Sequence, residues 1–406
     1  MIVYIGIDWS EKKHDIVIHN EDGKRLMQMV IEHNLTGFLQ MDAARQKLGV
    51  SAGECVVGME TVHNLLIDFL WQRGYEQIYV LPPNQVKSSQ GRVRQSGAHN
   101  DPGDADLIAE LSRTDRHRLS PWHPGSLLLQ QMRARLGLVS FLTKTVVQTS
   151  NRLRACLLRY YPAALQVFSS LDCNITLTFI EEYPSPLQAD ELTWPTFEQF
   201  ARRQGYPHPS RLPVCFARLQ KPQPQPAPAT LQAYQYEAVL LTRLLREQVQ
   251  AKRQVLHELQ QLFEQHPDHP IYDSLPQAGT LIAAGLLVKL GEDRQRFPNP
   301  EMLQALAGTC PITQQSGRTR RVSFRKACDH EFRYLVQEWA RLSIKSSPWA
   351  VDYYQQIRPH CHSDSHAYRC LANQWLKIVW KLWQDNAIYD ETYHLKRRAE
   401  RSLPRT

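Results

Sequence analysis

An α/β domain at the N-terminus followed by an all-α body is the architecture this sequence predicts, and three observations predict it. Strand and helix signals alternate through the first hundred residues, the apolar spacing of 125–160 and of the last third is helical, and a proline run at 221–228 separates two helical regions. At 406 residues the chain is long enough for two or three domains with buried cores.

Val3-Tyr4-Ile5-Gly6-Ile7 is a short β-rich run that ends at Asp8, and Asp15 to His19 is a second. Glu21-Asp22-Gly23-Lys24 supplies a tight turn into a third run, Arg25 to Val30, which makes a meander. A helical stretch from Leu35 to Leu48 follows, then Cys55 to Glu60 as a buried strand. A second helix runs from Asn64 to Arg73, and a last strand, Ile78 to Leu81, closes at Pro82-Pro83. The order βββαβαβ is that of a ribonuclease-H-like domain. Asp104 to Ser112 starts another helix, and 125–160 is helical in pattern.

From about 162 to 230 prolines accumulate, ending in Lys221-Pro222-Gln223-Pro224-Gln225-Pro226-Ala227-Pro228, whose alternating prolines favour an extended connector. Beyond it Leu231, Tyr234, Ala238, Leu241, Leu245, Gln248, Lys252, Val255, Leu259 and Leu262 fall at alternating three- and four-residue steps. Eight of the ten are apolar, which predicts a coiled-coil helix, with an amphipathic helix packed on its own domain as the alternative. The last part reads as helical, and its tryptophans at 339, 349, 375, 380 and 383 read as core. The resulting division is 1–160 for the α/β domain with trailing helices, 161–230 for a proline-rich insertion or linker, 231–266 for the coiled coil and 267–406 for a C-terminal domain.

Composition narrows the function classes. The apolar fraction is 42% and the charged fraction 22%, ordinary for a globular protein, and the longest apolar stretch, Leu281 to Val288, is too short to span a bilayer. The N-terminus does not read as a signal peptide, and eight cysteines without a CxxC pair suit reduced thiols, so a cytoplasmic protein is expected. The net charge of +8 suits a polyanionic partner. Residues 1–110 hold ten Lys and Arg against fifteen Asp and Glu, a balance of −5, which leaves 8 − (−5) = +13 for the rest. Carboxylates are gathered in the head and bases in the body.

Four carboxylates stand out by position. Asp8 and Glu60 end two strands of one sheet, and Asp101 and Asp104, three residues apart at the start of a helix, share a face. Converging, they would form an oxygen cage for two Mg²⁺ ions of the kind that activates a nucleophile and stabilises a leaving oxygen in phosphodiester cleavage. Taken singly, each is as well explained as a turn or helix cap. A second constellation runs from Gln314 to Lys326, where Arg318, Arg320, Arg321, Arg325 and Lys326 stand without an acid, a stretch suited to a phosphate backbone. Ser316-Gly317 sits among them; no His-Asp pair in the motif activates the hydroxyl, so on residues alone Ser316 reads as a turn residue. A third group, His360, Cys361, His362, Asp364, His366 and Cys370, has the donor types of a zinc site but matches no standard finger spacing. It reads first as a polar loop before the last helix.

The ordered set Gly6-Ile7-Asp8, Glu60 with His63, Gly74, Pro83-Asn84-Gln85-Val86-Lys87 and Asp101-Pro102-Gly103-Asp104-Ala105 resembles the RuvC-like N-terminal domain of the insertion-sequence-110 transposases. Leu275-Pro276, Gly279, Ala283-Ala284, Leu290-Gly291, Arg296-Phe297, Leu306-Ala307-Gly308, Pro311, Gln315-Ser316-Gly317 and Arg333 resemble that family's C-terminal transposase domain, and a coiled coil between the two fits as well. The resemblance implies a bacterial or archaeal DNA recombinase that excises and inserts its element, guided by a noncoding RNA that bridges donor and target DNA. It implies that Asp8, Glu60, Asp101 and Asp104 hold Mg²⁺, or Mn²⁺ in its place, and that Ser316 is the nucleophile of a covalent 5′-phosphoserine link. It also implies a homodimer, or a tetramer on DNA, whose active sites draw on different subunits. His99-Asn100 stand where the family carries Lys-Thr, the turn after Leu275-Pro276 is reduced to Gln277-Ala278-Gly279, and Ala327 or Cys328 replaces a glycine after Lys326. Pilin-gene invertases share these domains, so inversion stays open beside transposition. A junction-resolving nuclease using only the carboxylates and a non-catalytic nucleic-acid binder are the other readings.

Overall fold

The computed structural model describes the chain apart from residues 63–64, 94–100, 120, 224–225, 318, 394 and 397–406, and apart from the side chains of 84, 91–93, 101 and 102. It forms two compact units, Met1–Pro124 and Gly125–Thr406.

The first unit is mixed α/β. Its elements are β1 (Val3–Trp9), β2 (Lys13–His19), β3 (Arg25–Glu32), α1 (Leu35–Lys47), β4 (Cys55–Met59), α2 (Leu65–Gln72), β5 (Gln77–Val80), α3 (Pro83–Val93) and α4 (Asp101–Thr114). The sheet order is β3-β2-β1-β4-β5, antiparallel through the meander and parallel from β1 to β5. Period-two alternation divides its faces. Val3, Ile5, Ile7, Ile16, Ile18, Val57 and Met59 point to one side, into a core with Phe38 and Met41 of α1 and Leu66, Ile67 and Leu70 of α2. The other side is covered by α4, which Asp106 fastens by accepting from His19 Nε2 at 2.9 Å and Arg25 Nη2 at 2.8 Å. The hydrogen bond from His19 is the main reason the Asp106 carboxyl is held below its ordinary range, so α4 is tied to the meander by a charge-assisted contact.

The second unit is helical except for one hairpin. It contains α5 (Leu127–Tyr160), α6 (Ala164–Val167), α7 (Asn174–Glu182), α8 (Pro186–Asp190), α9 (Trp194–Arg203), α10 (Leu212–Leu219), α11 (Pro228–Glu264), α12 (His269–Asp273), α13 (Thr280–Leu290) and α14 (Pro300–Leu306). After these come the hairpin strands β6 (Ile312–Ser316) and β7 (Thr319–Ser323), then α15 (His330–Ser343), α16 (Pro348–Ile357) and α17 (Asp364–Asp385). Helices α5 and α11 run antiparallel along each other, with Arg135 Nε 2.7 Å from Glu258 near one end and Arg152 Nε 2.6 Å from Glu237 near the other. At one end Leu129, Met132, Leu259 and Phe263 join a core around Trp339, Trp349, Trp375 and Trp383. At the other end Leu153, Leu157, Ala238 and Leu245 join a second core built on Phe168, Phe179, Phe197 and Phe200.

Three expectations change here. The stretch 161–230, expected as a proline-rich insertion or linker, carries helices of its own: its prolines open α8, α9 and α10, where a missing N–H costs nothing, and its aromatics make a core. The heptad helix is present as α11, but buried seam residues Ala238, Leu245, Val255 and Leu259 lie along α5 of the same chain or in the cores at its ends. Its apolar stripe is therefore satisfied within the chain. The basic stretch around Ser316, expected as a turn and loop between helices, forms the β6–β7 hairpin, whose polar residues give no apolar period to detect. The tryptophans are core: Trp339, Trp349 and Trp375 form a ladder with ring centroids 4.6 Å apart. Among the described residues no helix is long and apolar enough to cross a membrane.

Candidate active site

The acidic edge belongs to the first unit. β1 and β4 are parallel neighbours with Ile7 beside Met59, so Asp8 and Glu60 are the next residues at the same ends of the two strands. Asp8 shares a face with Gly6, and Glu60 with Gly58, which is the face α4 covers. Gly6 and Gly58 are register partners and form a bare row under the helix. A Cβ on Gly6 would stand 2.0 Å from the Ala105 carbonyl oxygen, and one on Gly58 would stand 1.9 Å from Ser112 Oγ. At Gly6, where the clash is with backbone, only glycine permits this approach, which seats Asp104, one residue before Ala105, near the acidic strand ends.

Electrostatics report the proximity. Burial first, and then the Asp104 carboxylate, push the Glu60 carboxyl above its usual range, while the exposed Lys87 of α3 opposes them. Asp101 opens α4; its side chain lies outside the described residues, as do His63, His99 and Asn100. Asp15 is an acid that sequence reasoning misses. It pairs directly with Asp8 across β1 and β2, on the same face, and is 5% exposed. A lone carboxylate beside the apolar run Ile16-Val17-Ile18 is the signal that marks it.

These donors are hard carboxylate oxygens, the set that suits Mg²⁺ or Mn²⁺. The edge is open: among the described residues, only Cys361, His366 and Cys370 bring three ligand atoms within 4.8 Å of one another.

The serine belongs to the second unit. β6 and β7 pair from Ile312↔Ser323 to Ser316↔Thr319, and Gly317, at φ +54°, starts the two-residue turn. Ser316 thus ends a strand at the tip of an exposed hairpin, next to the turn expected for it. Alternation puts Arg321 on the face of Ser316 and Arg320 on the opposite face with Gln315. Arg320, Arg321 and Lys326 are exposed, and Arg318 lies outside the described residues. Arg325 differs from the expectation. It is half-buried, its carbonyl accepts from Arg333 Nη2, and its Nε is buried without a hydrogen bond. Phe324 lies under Arg333 at 4.4 Å and Arg369 at 4.6 Å, so two cations grip the foot of the hairpin.

Comparison with known proteins fits both halves. A family model described as a transposase, of the IS110 DEDD type, matches residues 5–162, and one described as transposase, IS116/IS110/IS902 family, matches 270–355. A mini-circle protein of Streptomyces coelicolor named as a putative transposase for IS117 is 28% identical over 96% of this chain and 96% of its own length. The 42 kDa protein of insertion element IS900 from Mycobacterium paratuberculosis is 24% identical over 95% of this chain and 97% of its own. The 43.6 kDa protein of insertion element IS110, also from Streptomyces coelicolor, is 24% identical over 72% of each. Two models of one family, matched in order on either side of the central helical region, and relatives aligned along nearly the whole chain show that it belongs to the IS110 family of transposases, enzymes of DNA recombination.

Proposed function

We propose that this transposase is an RNA-guided recombinase that cuts and rejoins DNA through Ser316 and a divalent cation held by Asp8, Glu60, Asp101 and Asp104 on a ribonuclease-H-like, RuvC-like domain. The observation that supports the reading is the placing of Asp8 and Glu60 at one edge of the sheet, under a helix that two glycines seat close and that carries Asp104 one residue from the contact. Ser316 Oγ attacks phosphorus: an Oγ–P bond forms, the P–O3′ bond breaks, the serine proton passes to a base and the departing 3′ oxygen takes up a proton. The chain is left as a 5′-phosphoserine, which a 3′ hydroxyl of the partner strand reverses. Arg321, on the face of Ser316, and the exposed Arg320 and Lys326 grip the phosphate backbone. Mg²⁺ or Mn²⁺, when bound, supplies Lewis-acid stabilisation of charge on the phosphoryl and leaving oxygens. The partners in this reading are donor and target DNA and a noncoding guide RNA, with the chain acting as a dimer, or as a tetramer on DNA.

The test combines purified protein, Mg²⁺, RNA transcribed from the flanks of the gene, and donor and target DNA, comparing wild type with Ser316→Ala and Asp8→Asn. Recombination and covalent protein–DNA adducts that vanish in both variants are the expected result. Free-end cleavage persisting in Ser316→Ala identifies a metal nuclease instead. Recombination that needs no RNA removes the guided reading, and inverted products in place of inserted ones assign the invertase branch.

A further inference from the structure

The third constellation is the one the proposed reaction does not use. Cys361 is buried in the loop after α16, and His366 and Cys370 lie on the first two turns of α17, four residues apart and hence on one helix face. Their three ligand atoms all lie within 4.8 Å of one another, about twice a zinc–sulfur bond of roughly 2.3 Å. The loop is held for this arrangement. Arg358 Nη1 donates to the Cys361 carbonyl at 3.2 Å, and the Arg358 guanidinium also pairs with Asp364, which accepts from Tyr354 Oη at 2.9 Å. Ser363 caps α17 by accepting from the His366 N–H at 3.2 Å. Two thiols and an imidazole are the borderline-soft donors that select zinc over magnesium.

We propose that Cys361, His366 and Cys370 form a zinc site that fastens the 358–363 loop to α17 at the foot of the serine hairpin. The ring of His362 stacks on that of His366 at 6.0 Å. The site adjoins the hairpin through Arg369, the residue before Cys370, whose guanidinium lies over Phe324 at 4.6 Å. The metal holds the start of α17 in the geometry from which Arg369 reaches Phe324. Its role is positional and separate from that of the carboxylates.

The experiment uses the full-length protein, freed of loosely held ions by brief dialysis against a weak chelator. Elemental analysis is expected to find one zinc per chain in wild type, and well under a tenth of that in Cys370→Ser and in His366→Asn. Co²⁺ added to metal-stripped wild type is expected to give thiolate-to-metal charge-transfer absorption, which reads the site even where a variant misfolds. Hydrogen exchange of 319–325 is expected to quicken when the metal is removed. Wild type without zinc and without the Co²⁺ band overturns the proposal, as does a Cys361–Cys370 disulfide in peptides mapped without reductant. Zinc retained in both variants overturns it as well. Failure here leaves the Ser316 and Asp8 experiment untouched, since that reading does not pass through these residues.

Discussion

Gly6 shows how much one missing side chain decides. Its hypothetical Cβ meets backbone, the Ala105 carbonyl oxygen at 2.0 Å, and so cannot be relieved by a rotamer change. Gly6→Ala is therefore expected to cost at least about 1–3 kcal/mol, the usual range for overpacking, and to abolish metal-dependent cleavage as α4 lifts. Urea unfolding of the variant and its cleavage rate check this; unchanged stability would mean the helix is not seated on the glycine row. The role of this residue is legible in the sequence only as part of a resemblance, Gly6-Ile7-Asp8, because a glycine in a strand does not say what approaches it. Asp8 and Glu60 are legible as strand-end acids, since strand order and period fix their edge. Asp15 is not, because which acids share a face follows from the β1–β2 register. Arg325 reads as exposed because a run of bases in sequence does not tell which guanidinium folds back against its own domain.

At the scale of elements, the long helix is the instructive case. Its heptad period is plain in the sequence, but a period states that an apolar stripe must be covered and not what covers it. In the structure α5 covers much of it, so a proline at Leu245, which is fully buried, would unfold the helix pair and say nothing about assembly. The outward stripe is different: Tyr236, Leu240 and Leu244 recur every four residues and are 75%, 47% and 48% exposed. If the chain dimerises through α11, Leu240→Glu with Leu244→Glu should halve the mass in solution while leaving the helical circular dichroism unchanged. A mass that stays dimeric locates the interface elsewhere. The hairpin is invisible to period because strands exposed on both sides need no apolar alternation, and the phenylalanine core within 161–230 is hidden by prolines that open helices as readily as they break them.

Across the whole molecule, the division of charge into −5 for residues 1–110 and +13 for the remainder matches a division of chemistry between acids and bases. The acidic strand ends lie in one compact unit and the basic hairpin in the other. Nucleic-acid affinity should accordingly be carried by counterion release at the basic unit. Arg320→Ala with Arg321→Ala should lower the slope of log affinity against log salt by about 0.9 for each duplex phosphate that the variant no longer neutralises. Filter binding over a salt series reads this, and an unchanged slope would take the hairpin off the backbone.

The glycine row also sets an order of events during synthesis. Asp8 and Glu60 leave the ribosome well before Asp104, which reaches their edge of the sheet only when α4 seats on Gly6 and Gly58. A nascent or truncated chain that lacks α4 has Asp8, Asp15 and Glu60 on an open sheet, without the Asp104 that α4 brings. Completion of the domain is thus the condition for adding the helix-borne acids to the strand-end ones, and fragments released early carry the strand-end acids alone.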